Sequence, residues 1–144
     1  MKIIIFYNSK FGNGKLVGEY MAKLLNEKNR KNNAKAYLVQ ESQPKQLEKA
    51  DLYVFSSSTH IGNAPFKTRI FLKKLRKQNG AKYILVTTNL APQKAKTLKT
   101  MRDILLNKGF VEVKEPLVLR VDTMKGPLEK DYQKKIRDYL VDIG

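Results

Sequence analysis

No cysteine occurs in the 144 residues, and histidine occurs once, at His60. The first absence removes disulfide frameworks, thiolate metal centres, iron–sulfur ligation and cysteine nucleophiles together. The second makes any Ser-His-Asp arrangement depend on His60 and excludes a zinc site built from two or three imidazoles. Apolar runs are short, as in Ile3 to Tyr7. A membrane helix needs roughly 20 such residues and a signal-peptide core roughly 7 to 15. These absences predict a soluble, cytoplasmic chain with no metal site.

Acidic residues are scarce too, 13 against 29 basic ones, for a net charge of +16. Such a field attracts anions, whether nucleic acid, an anionic membrane surface, an acidic protein or a phosphorylated cofactor. Lysine far outnumbers arginine. Readers of DNA sequence rely on the planar fork of arginine, so nucleic acid is disfavoured and much of the charge reads as solvated helix face. The length fits one domain over residues 1–144, and a hydrophobic fraction of 42% beside a charged fraction of 29% is that of a folded globular chain.

Lys2 to Tyr7 is a continuous apolar, β-branched run of the kind buried on both faces of a parallel sheet. After a polar, glycine-bearing turn, Leu16, Val17, Tyr20, Met21, Leu24 and Leu25 recur at helical spacing. Further strands are predicted over residues 34–39, 51–55, 83–86 and 110–119. Helices are predicted after Pro65 (Phe66, Ile70, Phe71, Leu75), before Gly109 (Leu98, Met101, Ile104, Leu105) and at the end (Tyr132, Ile136, Leu140, Ile143). Residues 44–49 allow a turn or so of helix. Five strands alternating with helices predict an α/β fold, a doubly wound five-stranded parallel sheet. In such sheets ligands bind beyond the carboxyl ends of the strands, where the winding reverses.

The loop after the first strand reads Ser9-Lys10-Phe11-Gly12-Asn13-Gly14-Lys15 and opens a helix. Glycines that let backbone approach closely, free N–H groups and flanking Lys, Ser and Asn suit a phosphate. They also suit a plain βα turn. Two sharper motifs fail on these residues. A Walker loop needs glycine where Ser9 stands and a hydroxyl residue where Leu16 stands, and Gly12, Gly14 and Gly18 are out of step with the dinucleotide spacing.

Tyr7-Asn8-Ser9-Lys10-Phe11-Gly12-Asn13, the stretch from Ala50 through Ser56-Ser57-Ser58-Thr59-His60-Ile61-Gly62-Asn63 to Pro65, and the five strands in order resemble the flavodoxin-like FMN-binding proteins of the short-chain type. The resemblance runs end to end. It implies strand order 2-1-3-4-5 in a three-layer αβα sandwich, a fold that is itself an example of the switch-point rule. It also implies FMN, with the phosphate on Ser9, Lys10, Phe11, Gly12, Asn13 and Gly14. In the loop from Ser57 to Asn63, Ser58 and Thr59 would meet the ribityl chain or ring edge. His60 or Ile61 would cover a ring face, and Gly62 would offer a movable peptide to the flavin N5. The third loop, Thr87 to Ala91, would bring backbone donors at Thr88, Asn89 and Leu90 to the pyrimidine end.

The function so implied is that of an electron-transfer flavoprotein or oxidoreductase working with a redox partner protein. No catalytic acid or base is required, because the flavin carries the electrons. The chain departs from the family pattern at Phe11 and Gly14, where Ser or Thr is usual, in lacking Trp or Tyr in its second and third loops, and in its basic charge. A basic carrier implies an acidic partner, met by Lys67 and Arg69 at the mouth of the cofactor site. Two other functions use the same residues. One is a flavodoxin-type dehydrogenase acting on a small molecule or quinone, similar to protoporphyrinogen oxidase and resting on an anionic membrane. The other is a flavin-free basic module for nucleic acid.

Overall fold

The computed structural model describes residues 1–59, 62–90 and 96–144. Six parallel strands form one sheet: β1 (Lys2–Tyr7), β2 (Asn33–Leu38), β3 (Leu52–Ser58), β4 (Ala81–Leu90), β5 (Phe110–Glu112) and β6 (Leu117–Val121). Their order is β2-β1-β3-β4-β5, with β6 also on the outer edge of β4. The expected order 2-1-3-4-5 is thus observed. The fifth strand is divided: β5 pairs with residues 81–83 of β4, and β6 pairs with residues 86–90. Pro116, which has no N–H to give the ladder, ends the interruption. Within it Lys114 Nζ turns to the Tyr139 carbonyl and the Asp142 carboxylate.

Side chains of the central strands alternate between two apolar layers. Ile3, Ile5, Val54, Ile84 and Val86 pack against α1 (Asn13–Lys28) and α4 (Tyr132–Tyr139). Ile4, Phe6, Tyr53, Phe55, Tyr83 and Leu85 pack against α2 (Phe66–Lys74) and α3 (Thr97–Asn107). This is the three-layer αβα sandwich. Between β2 and β3 the chain makes only two 3-10 turns, Val39–Glu41 and Pro44–Gln46. Leu16, placed on the apolar stripe of α1 by its spacing, is exposed, and Pro65 stands directly before α2.

A second cation besides Lys114 holds the last turn of the chain. Lys28 Nζ, at the end of α1, donates to the carbonyls of Leu140, Val141 and Ile143 at 2.8, 2.6 and 2.6 Å. The Leu140 carbonyl also accepts from the Ile143 N–H, whereas those of Val141 and Ile143 have no other partner among the described residues. Lys28→Met keeps the apolar stem and removes the donors. It is expected to lower the unfolding free energy by about 1 kcal/mol, a value reduced for solvent exposure. Amide exchange should quicken over residues 139–143, and unchanged exchange there would show that the ammonium does not hold the terminus.

Candidate functional site

The carboxyl ends of β1, β3, β4 and β6 surround a narrow cleft of about 30 Å³, partly open to solvent. It lies where the winding of the sheet reverses between β1 and β3, the position expected for a ligand. Asn8, the first residue past β1, is buried and ties the two strands together. Its Nδ2 donates to Ser58 Oγ at 3.1 Å, and its Oδ1 accepts from the Ser58 N–H at 2.9 Å.

The next residues wrap the start of α1. Ser9 Oγ accepts from the N–H groups of Gly12 and Lys15 at 3.1 and 3.2 Å. Gly12 has φ +95°, with open space where a side chain would stand. Gly14 is needed for a different reason, since a Cβ there would lie 2.0 Å from the Asn8 carbonyl oxygen. Among the described residues no partner is found for the N–H groups of Lys10, Phe11, Asn13 and Gly14. Four free donors at the positive end of a 16-residue helix with no acid in its first turn form an anion cradle. Lys10 lines the same cleft, its Nζ 5.4 Å from the centre of the Phe11 ring. These residues fit a phosphate group.

Of the residues expected at the site, Ser9, Lys10, Phe11, Asn13, Gly14, Ser58, Thr59, Thr88 and Leu90 line the cleft. Ser57 is a buried strand residue whose hydroxyl donates to the Ser58 carbonyl. Gly12, Gly62, Asn63 and Asn89 stand outside the lining, and Asn63 Oδ1 accepts from the Ala64 N–H. His60, Ile61 and Ala91 lie outside the described residues. Thr88, Asn89 and Leu90 belong to β4 itself and not to a loop, because β6 pairs with all three and β3 with Thr88 from the other side. Lys67 and Arg69 do not line the cleft; Arg69 Nε donates to the Ala64 carbonyl at 3.1 Å.

The connections after β3 and β4 are stitched together. The Thr59 N–H donates to the Thr88 carbonyl at 3.1 Å, the Thr59 hydroxyl bonds Asn89 Oδ1, and the Thr97 hydroxyl lies 2.8 Å from it. The Gly62 carbonyl accepts from the Lys96 N–H at 2.7 Å. Three lining residues escape sequence reasoning: Asn8, Val121 and Met124. Val121 reaches the cleft because its register places it beside Leu90, and the turn that follows folds back so that Gly126 abuts the Asn13 side chain. A polar residue directly after a buried strand was the available signal for Asn8.

Lys10 is the only ionisable group among the described lining residues. Tyr7, beneath α1, has its phenol pushed above the ordinary value by burial, with Glu19 and Glu41 adding to the effect. Among the described residues no three His, Asp or Glu side chains gather to hold a metal, and no helix is long and apolar enough to cross a membrane.

The fold has many solved counterparts. Oxidised flavodoxin 2 from Bacillus cereus is similar at 18% identity over 98% of this chain and 96% of that one, with a TM-score of 0.81. A flavodoxin from Streptococcus pneumonia TIGR4 gives 15%, 96%, 94% and 0.77. The rubredoxin oxygen:oxidoreductase of Desulfovibrio gigas matches 94% of this chain with 33% of its own length, at 18% identity and a TM-score of 0.70. No protein-family model and no curated protein sequence matches the chain. The fold is flavodoxin-like.

Proposed function

We propose that this chain binds FMN non-covalently in the cleft at the ends of β1, β3, β4 and β6 and passes electrons to or from an acidic redox partner protein. One observation carries the reading: the N–H groups of Lys10, Phe11, Asn13 and Gly14, which have no partner among the described residues, lie at the start of α1 at the switch point of a flavodoxin-like sheet. FMN, when bound, supplies the redox chemistry, which the lining side chains do not.

The residues of the chain have positioning tasks. Ser9 Oγ fixes the shape of the phosphate loop by holding the Gly12 and Lys15 N–H groups, which leaves the other four donors for the anion. Lys10 adds a cation. Asn8 locks β1 to β3, so that the phosphate loop and the Ser58–Thr59 segment keep one spacing. Val121, Met124 and Leu90 give the cleft its apolar side. The Gly62 carbonyl must release the Lys96 N–H before its peptide can turn.

Purified protein mixed with excess FMN and freed of the unbound part is expected to keep a yellow flavin absorbance band. Riboflavin, which lacks the phosphate, should bind on the order of a hundredfold more weakly, the loss of about two charge-assisted hydrogen bonds. A colourless protein after desalting would end the proposal. Equal retention of riboflavin and FMN would remove the phosphate role of the Ser9–Gly14 loop.

A further inference from the structure

The outer face of α2 carries charge of a different kind from the other helices. Each of α1, α3 and α4 carries at least one lysine paired with an acid one turn away: Lys15 with Glu19, Lys99 with Asp103 and Lys134 with Asp138. Between Asp51 and Asp103 the sequence contains no Asp or Glu at all. Lys67, Lys73 and Lys74 of α2 and Arg76 and Lys77 beyond it accordingly make no ion pair among the described residues. Each of the other three α-helices has at least one such pair, so the unmatched cations of α2 set it apart among the helices.

Beside these cations runs an apolar groove between α2 and the Val39–Pro44 segment. Val39, Phe71 and Ile70 form its depth, Pro44 one wall, and Lys67 and Lys74 the α2 rim. Phe66 stands at its end with 67% of its surface exposed, the guanidinium of Arg69 5.8 Å from its ring. The nearby acids Glu41 and Glu48 line a neighbouring groove beside Tyr37 and not this one. An exposed aromatic over an apolar trough with a rim of one sign has the make-up of a protein docking site.

We propose that this groove docks an acidic segment of a partner protein, which seats an apolar side chain between Phe66, Ile70 and Pro44 and sets its carboxylates against Lys67 and Lys74. Charge complementarity selects an acidic occupant. The recessed apolar floor favours a protein over the alternatives. A nucleic-acid backbone has nothing to place in such a trough, and a bilayer meets residues that project, whereas Ile70, Phe71 and Val39 lie between two elements. The inference rests on the groove and not on the cofactor, so a colourless protein that still docks would sink the flavin proposal and leave this one standing.

The test is a titration of isotope-labelled protein, with and without FMN, followed by backbone amide shifts. The probe is a synthetic acidic peptide carrying Leu and Phe anchors among Glu and Asp. Comparison probes are a peptide of equal charge with Ser in place of the anchors, a short single-stranded RNA, and vesicles of phosphatidylcholine and phosphatidylserine. The anchored peptide is expected to shift residues 39–44 and 66–74, with binding weakened at least fivefold by Phe66→Ala, by Lys67→Glu with Lys74→Glu, and by added salt. All three positions are exposed, so the variants keep the fold. Equal shifts with the anchor-free peptide, or no shift in the groove with the anchored one, would overturn the proposal. Tighter engagement of α2 by RNA or by vesicles would overturn it too, in favour of that ligand.

Discussion

Gly14→Ala is expected to abolish flavin retention and to lower the unfolding free energy by about 1–3 kcal/mol, the range for forcing an extra carbon into packed structure. The added Cβ would fall 2.0 Å from the Asn8 carbonyl oxygen. That atom is backbone, and Asn8 is fixed at both ends of its side chain by Ser58, so the clash cannot be relieved by a rotamer change. Either α1 or the β1 terminus must move. Movement of the first separates the Lys15 N–H from Ser9 Oγ, and movement of the second breaks the Asn8–Ser58 link. Both spoil the cradle. Urea unfolding together with the FMN desalting assay reads the two effects separately. A variant that is destabilised yet still yellow would place the phosphate somewhere other than this loop; one with an unchanged midpoint would mean that the close approach of α1 to Asn8 is absent. Ser58→Ala is the control, removing one acceptor of the link at a cost of about 1 kcal/mol.

The same clash accounts for a departure noted in the sequence. A hydroxyl residue is usual in the family where Gly14 stands, and here the tight packing of α1 on Asn8 leaves room for no side chain. Donation to an anion then falls to main-chain N–H groups and Lys10. From sequence alone the loop drew attention because glycines, serine and lysine at a strand-to-helix junction suit an anion, although they suit a plain βα turn as well. The far wall of the cleft was not. Val121 and Met124 arrive through the register of β6 on β4, a pairing between segments distant in the chain that no local pattern records.

The strands show the same division between local and tertiary signals. Ile3 to Tyr7 could be only a buried strand, and it is one. Thr87, Thr88 and Asn89 look like loop because they are polar, yet they extend β4, since β6 pairs with all three and β3 with the first two. The fifth strand looks continuous to Leu119, but at 114–116 the chain leaves the ladder, and Lys114 is engaged by the carboxyl-terminal segment. Leu16 fits helical spacing at the edge of the apolar stripe, where spacing alone does not separate buried from exposed positions.

Glu112→Ala is expected to cost about 2–3 kcal/mol, because one carboxylate serves two groups. Arg102 donates to it from Nε at 3.1 and 3.2 Å and from Nη2 at 3.0 Å, which binds α3 to β5, and the fully buried Tyr83 donates its phenol at 3.1 Å. The ion pair is partly exposed and contributes modestly. Most of the cost is the phenol left without an acceptor. Glu112→Gln keeps that acceptor and should lose about 1 kcal/mol. Burial, and behind it the Glu112 charge and hydrogen bond, hold the Tyr83 phenol well above its ordinary value of 10.0. The unfolded chain therefore releases this proton at a lower pH than the folded one, so stability present below about pH 10 is lost as the pH rises further. Tyr139, raised by burial and then by Glu115, acts in the same direction. Burial alone keeps the phenol raised in Glu112→Ala, so between roughly pH 8 and pH 11 its stability should fall alongside that of the wild type, from a lower starting value. Urea midpoints of the wild type, Glu112→Ala and Glu112→Gln at roughly pH 8 compare the three. If Glu112→Ala were no less stable than Glu112→Gln, the carboxylate would not be serving the phenol, and the assigned link between α3, β5 and Tyr83 would fail.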